Sequence, residues 1–88
     1  MTTGKKRRIE TELGEFMVRN LAAVMERERD KRGLGKVEFA KLCQITAPSY
    51  ITILDGTANP TLYVITRISN ALNIPVQELL FTTKKQAD

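Results

Sequence analysis

The chain has 88 residues, of which 42% are hydrophobic and 27% charged, which is enough for one soluble domain near the lower size limit for burying its own core. It has no histidine and a single cysteine, Cys43, which excludes an internal disulfide, His-based zinc sites and His-dependent catalytic triads. The net charge of +4 sits at the ends: residues 1–8 carry four cations and no acid, whereas residues 9–83 carry eight cations against nine acids.

Residues 1–10, with Lys5, Lys6, Arg7 and Arg8, read as a disordered basic arm. No apolar segment follows them, so no signal peptide is expected and a cytoplasmic location is. From Thr11 the pattern turns helical. Leu13, Phe16, Met17, Leu21, Val24 and Met25 recur at spacings of three and four and predict one apolar stripe. Glu26–Arg32 alternates in charge and reads as solvated final turns, with Gly33 as the stop. A short helix is predicted from Lys36 to Cys43, with Phe39, Ala40 and Cys43 inward. Thr46 caps a third helix that turns Tyr50, Ile53 and Leu54 inward and ends at Asp55-Gly56. Thr61 caps a fourth, with Leu62, Ile65, Ile68 and Leu72 on one face. Pro75 suits the first position of a fifth short helix carrying Val76, Leu79, Leu80 and Phe81. Residues 83–88 read as a disordered tail. No strand, repeat or membrane-length apolar run is present in the sequence.

The predicted fold class is therefore all-α, a compact five-helix bundle over residues 11–82. Its central pair, about residues 36–55, is joined by a turn of about three residues. Such a turn fixes a steep crossing angle, so that the second helix can project into a DNA major groove while the first braces it. Ala40 supplies the small residue where the helices touch, and Phe39, Cys43, Ile45, Tyr50 and Ile53 supply the inner faces. The stretch Leu34–Leu80 resembles the phage-repressor (Cro/cI, Xre) helix-turn-helix family. The resemblance rests on Gly33-Leu34, Phe39-Ala40, Ile45-Thr46, Ile53-Leu54-Asp55-Gly56, Asn59-Pro60-Thr61-Leu62, Ile68 through Ile74 and Glu78-Leu79-Leu80, in order and without a gap. It implies a domain of the lambda-repressor-like DNA-binding type. Three positions depart from the family pattern. Gln44 stands where the turn usually has Gly, and is strained if φ there is positive. Tyr50 replaces an aliphatic residue and needs a partner for its hydroxyl. Pro48 disfavours a helical Ala47 and opens a second register, in which Ile51 and Leu54 face inward instead of Tyr50 and Ile53; the ungapped register is preferred.

The resemblance implies that Ala47, Pro48, Ser49 and Thr52 read bases. Ser and Thr can bond several base edges and Ala can touch a thymine methyl, but none makes a bidentate contact to a purine. Phosphate contacts are expected from Lys36, Thr57, Asn59 and Arg67, with Lys41 as plain surface, and the arm Lys5–Arg8 could wrap the duplex or enter the minor groove. One such module reads few base pairs, so a homodimer is expected, through Val76, Leu80 and Phe81 or through Phe16 and Met17. The expected function is a DNA-binding transcriptional regulator, a repressor of bacterial or phage type on double-stranded DNA, with a toxin or another regulator as a possible protein partner. The alternative is a protein-interaction module with a degenerate helix-turn-helix. No catalytic residue, metal or cofactor is expected, since the Ser and Thr hydroxyls have no evident activating base.

Overall fold

Local signals at the helix ends account for most element boundaries. The computed structural model describes residues 2–82, with side chains from residue 12 onward, and contains five helices among them. These are α1 (Thr2–Arg32), α2 (Lys36–Leu42), α3 (Ala47–Asp55), α4 (Leu62–Leu72) and α5 (Val76–Leu80). The expected tail, 83–88, lies outside the described residues.

The C-terminus of α1 closes through Gly33, whose φ of 64° lets its N–H reach the Asp30 carbonyl while that of Leu34 reaches Arg29. Gly56 (φ 78°) closes α3 in the same way, with its own N–H on Ile53 and that of Thr57 on Thr52. Thr46 and Thr61 cap α3 and α4, their hydroxyl oxygens accepting from Ser49 N–H (3.2 Å) and Val64 N–H (3.1 Å). The preferred register of α3 is the one observed: Tyr50 and Ile53 are buried and Ile51 faces out. Pro48 is accommodated because it occupies the first turn, where a missing N–H costs no intrahelical bond.

The core joins Leu21, Val24 and Met25 of α1 to Phe39, Ala40 and Cys43 around α2, and to Tyr50 and Ile53 of α3. Ile65, Ile68 and Leu72 of α4 and Leu79 of α5 complete it. Helix α1 packs on α3 and α5, α2 packs on α3, and α4 packs on α5.

Helix α1 begins at Thr2 and so takes in the backbone of the expected basic arm. Four expectations are corrected. Leu13 and Phe16 leave the core and are exposed, since the bundle covers only the later part of α1. Leu62 is 80% exposed, because as the first residue of α4 it precedes the buried stripe. Pro75 is the N-cap of α5 rather than its first residue. The Glu26–Arg32 run is not simply solvated: Glu28 is buried, and Arg32 (2.6 Å) and Lys31 (3.4 Å) reach its carboxylate.

Candidate nucleic-acid interface

The base-reading candidates sit on the first turns of α3. Ala47 packs against the core, Pro48 and Thr52 are exposed, and Ser49 is half-buried. The capping geometry divides the chemistry of the two hydroxyls. Thr46 donates its O–H to Ser49 Oγ (2.9 Å), which leaves the Ser49 proton free to donate. Thr52 donates its own proton to the Ser49 carbonyl (2.9 Å), which leaves its oxygen free to accept. The face therefore offers one donor and one acceptor, a turn apart.

Two grooves adjoin at this face, with Ser49 and Val64 lining both. In one, Ser49 and Thr52 meet Ala58, Asn59, Pro60 and Thr61 of the α3–α4 connection. In the other, Ser49 meets Lys41, Gln44, Thr46 and Arg67. Asn59 and Arg67, two of the expected phosphate contacts, thus each share a groove with Ser49. Lys36 lies at the start of α2, exposed to solvent. Thr57 has its backbone N–H bonded to the Thr52 carbonyl and its hydroxyl 3.5 Å from the same oxygen. Lys41, expected to be plain surface, is exposed and lines the groove that holds Ser49 and Arg67, a placement that depends on how the helices close and carries no local sequence signal.

Ion pairing separates the cations. Arg27, Arg29, Lys31 and Arg32 are held by Glu26 and Glu28. Among the described residues, no carboxylate lies within 4 Å of Arg19, Lys36, Lys41 or Arg67. Of these four, Lys41 and Arg67 share a groove with Ser49, whereas Arg19 lies on α1 beside the end of α3. Ile51 (40% exposed), Leu62 and Tyr63 (76%) add apolar surface on α3 and α4.

The Tyr50 ring, fully buried, stacks obliquely on Phe39 with centroids 5.5 Å apart. Its hydroxyl donates to the Glu26 carboxylate of α1. Arg29 grips the same carboxylate with two nitrogens, Nε at 3.1 Å and Nη2 at 2.9 Å, and sends Nη1 to the Leu34 carbonyl at 2.7 Å. The Arg29 bonds hold the Glu26 carboxyl below its ordinary range against the opposing effect of burial, with Tyr50 and the nearby Lys36 adding to the shift. Burial, reinforced by the bond to Glu26, pushes the Tyr50 phenol well above its ordinary range, so it remains a donor.

The arm side chains Lys5, Lys6, Arg7 and Arg8 lie outside the described residues. Of the dimer candidates, Phe81 (44% exposed) and Val76 (36%) face outward, whereas Leu80 is half-buried against the core. Phe81 meets Phe16 with ring centroids 5.8 Å apart, so the two expected dimer surfaces form one patch. Asn20 holds the end of α5 there, donating to the Leu79 carbonyl (2.8 Å) and to Thr82 Oγ1 (2.9 Å).

Comparison with known proteins places this geometry. The helix-turn-helix family matches residues 25–79, more than half of the chain. Among solved structures, the chain is similar to a hypothetical transcription factor, NHTF, from Neisseria. The TM-score is 0.69 at 21% identity, over 81% of this chain and 82% of that one, a likeness of fold. No curated protein matches.

Proposed function

The chain belongs to the phage-repressor-like (Cro/cI, Xre) helix-turn-helix family, and from that premise we propose that it is a DNA-binding transcriptional regulator of bacterial or phage type. In this reading it is a repressor that binds a two-fold operator as a homodimer. The observation that carries the proposal is the placement of Lys41 and Arg67, free of internal ion pairs, in one groove with Ser49 on the first turn of α3.

The mechanism follows from that arrangement. The free Ser49 proton suits acceptors of the major groove such as guanine O6 or N7, and the Thr52 oxygen suits an exocyclic amine of adenine or cytosine. Single hydrogen bonds of this kind discriminate less than a bidentate pair. Ile51 and Pro48 add apolar contact, which favours thymine methyl groups. Lys36 at the start of α2, Lys41 and Arg67 beside Ser49, and Asn59 in the α3–α4 connection engage backbone phosphates and fix the register. The basic arm adds sequence-independent attraction.

The test is selection of binding sites from a random duplex pool, followed by affinity measurement across a salt series. The expected result is an enriched site with inverted half-sites spaced by one turn of DNA. Replacing Lys41 and Arg67 by Ala should lower the salt slope by about 0.9 for each phosphate that is no longer neutralised. Failure to enrich any sequence would overturn the regulator reading. The second reading, a partner-binding module with a degenerate helix-turn-helix, is favoured by the exposure of Ile51, Leu62 and Tyr63. It predicts no enriched site and an unchanged salt slope in the double variant.

A further inference from the structure

We propose that the Tyr50–Glu26–Arg29 relay is a positioning device that sets the roll of α3, and that base discrimination depends on it. The proposal rests on the DNA-reading function above. Tyr50 lies between the two reading residues, directly after Ser49 and two before Thr52, so its anchor point fixes where both hydroxyls face. The remaining grip on α3 comes from apolar contacts such as Ile53, which resist separation but are non-directional. Among the described residues, the bond from Tyr50 to Glu26 is the one side-chain hydrogen bond from α3 to another helix.

Its acceptor is itself immobilised. The two-nitrogen grip of Arg29 orients the Glu26 carboxylate, and the third Arg29 nitrogen is tied to the carbonyl of Leu34 in the connection before α2. The relay therefore joins α1, the α1–α2 connection and α3 through directional bonds. The charged and titratable groups facing Glu26 are Arg29 from α1, Lys36 from α2 and Tyr50 from α3. Because Tyr50 is buried, its hydroxyl cannot exchange the bond for water at no cost. Leverage makes the bond matter. On a helix with a side-chain radius of about 5–6 Å, a roll of about 10° moves a reading atom by roughly 1 Å. A displacement of that size takes a hydrogen bond to a base edge out of range. Phosphate contacts through long, flexible Lys and Arg side chains tolerate it.

The experiment measures affinity for the site selected by the wild-type protein and for random-sequence duplex, under conditions where every variant is fully folded. Tyr50→Phe keeps the ring on Phe39 and removes the hydroxyl. It should leave affinity for random-sequence duplex within twofold and lower the specific-to-random ratio about tenfold. Glu26→Ala, which removes the acceptor of the Tyr50 hydroxyl, should give a similar loss, and the double variant no further loss, because both changes break one relay. In the proton NMR spectrum, the wild type should show a slowly exchanging hydroxyl resonance that is absent from Tyr50→Phe. Leu72→Val, in the core away from the reading face, controls for lost stability and should lower Tm without changing the ratio. A ratio within twofold of wild type in Tyr50→Phe would overturn the proposal, whatever happens to Tm; if that variant does not fold, the ratio in Glu26→Ala decides. If the wild type enriches no site, the DNA-reading function falls first and the relay with it, a result that is distinct because it arises before any variant is made.

Discussion

Gln44 sits in the turn that follows α2, where its N–H bonds the Lys41 carbonyl and the next N–H, from Ile45, bonds that of Ala40. This closing pattern requires a left-handed residue, and Gln44 has φ of 61°. For a residue with a Cβ that conformation costs roughly 1–2 kcal/mol, partly offset by the extra chain entropy a glycine would lose on folding. Gln44→Gly should therefore stabilise the domain by about 0.5–1 kcal/mol, raising Tm by several degrees, as read by thermal or urea denaturation. A lower Tm would show that the Gln44 side chain contributes more through its surroundings beside Lys41 and Ser49 than its backbone costs. Tyr50, the other unusual residue of the motif, is resolved differently: its hydroxyl finds a carboxylate partner on α1, so the larger side chain is both buried and satisfied.

At the scale of elements, the helix ends were legible because capping is local. Thr46 and Thr61, each followed by an apolar run, and Gly33, Gly56 and Asn73 mark starts and stops within a few residues of themselves. The last two turns of α1 were not legible in the same way. A run alternating in charge is the same string whether its face meets water or a neighbouring helix, and only the packing of the bundle against α1 buries Glu28 and brings Glu26 to Tyr50. The same limit hid Lys41 from the candidate site, since its relation to Ser49 and Arg67 depends on how α2 and α4 close around α3. The buried Glu28 has a consequence for acid stability. Burial raises its pKa, but the bonds from Arg32 and Lys31 outweigh burial and leave it below the ordinary 4.5. A folded-state pKa below the unfolded one means that its contribution is present above pH 4.5 and is lost as pH falls through the folded value. Glu28→Ala should accordingly cost about 1.5 kcal/mol at pH 7, in the range for hydrogen bonds to a charged group. The difference from wild type should shrink toward zero in strongly acidic buffer. Urea denaturation across pH measures this, and a pH-independent difference would mean that Glu28 acts through packing alone.

For the molecule as a whole, the reading face and the aromatic patch belong to different parts of the bundle. Phe16 and Phe81 stack outside the core, with Leu13 (50% exposed) and Val76 also accessible, and the Asn20 bonds hold the chain end that carries Phe81. Nearby, between α1, the α3–α4 connection and α5, a cleft of about 420 Å³ is walled by Met17, Leu21, Ile65 and Leu80. A patch on one side of a monomer can meet only its own copy when the two are related by a two-fold axis, which gives the two α3 helices opposite orientations, as an inverted operator requires. The proposed homodimer would also compensate for the proposed reading face: single hydrogen bonds from Ser49 and Thr52 would give one copy little discrimination, whereas two linked copies add their binding free energies on one site. Under the proposed pairing, the wild type should sediment as a dimer at micromolar concentration, and replacing Phe16 and Phe81 together by Ser should give a monomer. Helical content should be unchanged, because neither ring is needed to fill the core. Affinity for the selected operator should fall by more than tenfold, while affinity for a single half-site should stay within about twofold of wild type, since the half-site contacts are intact. A monomeric wild type, or a double Ser variant that still dimerises, would place the two-fold contact elsewhere on the molecule.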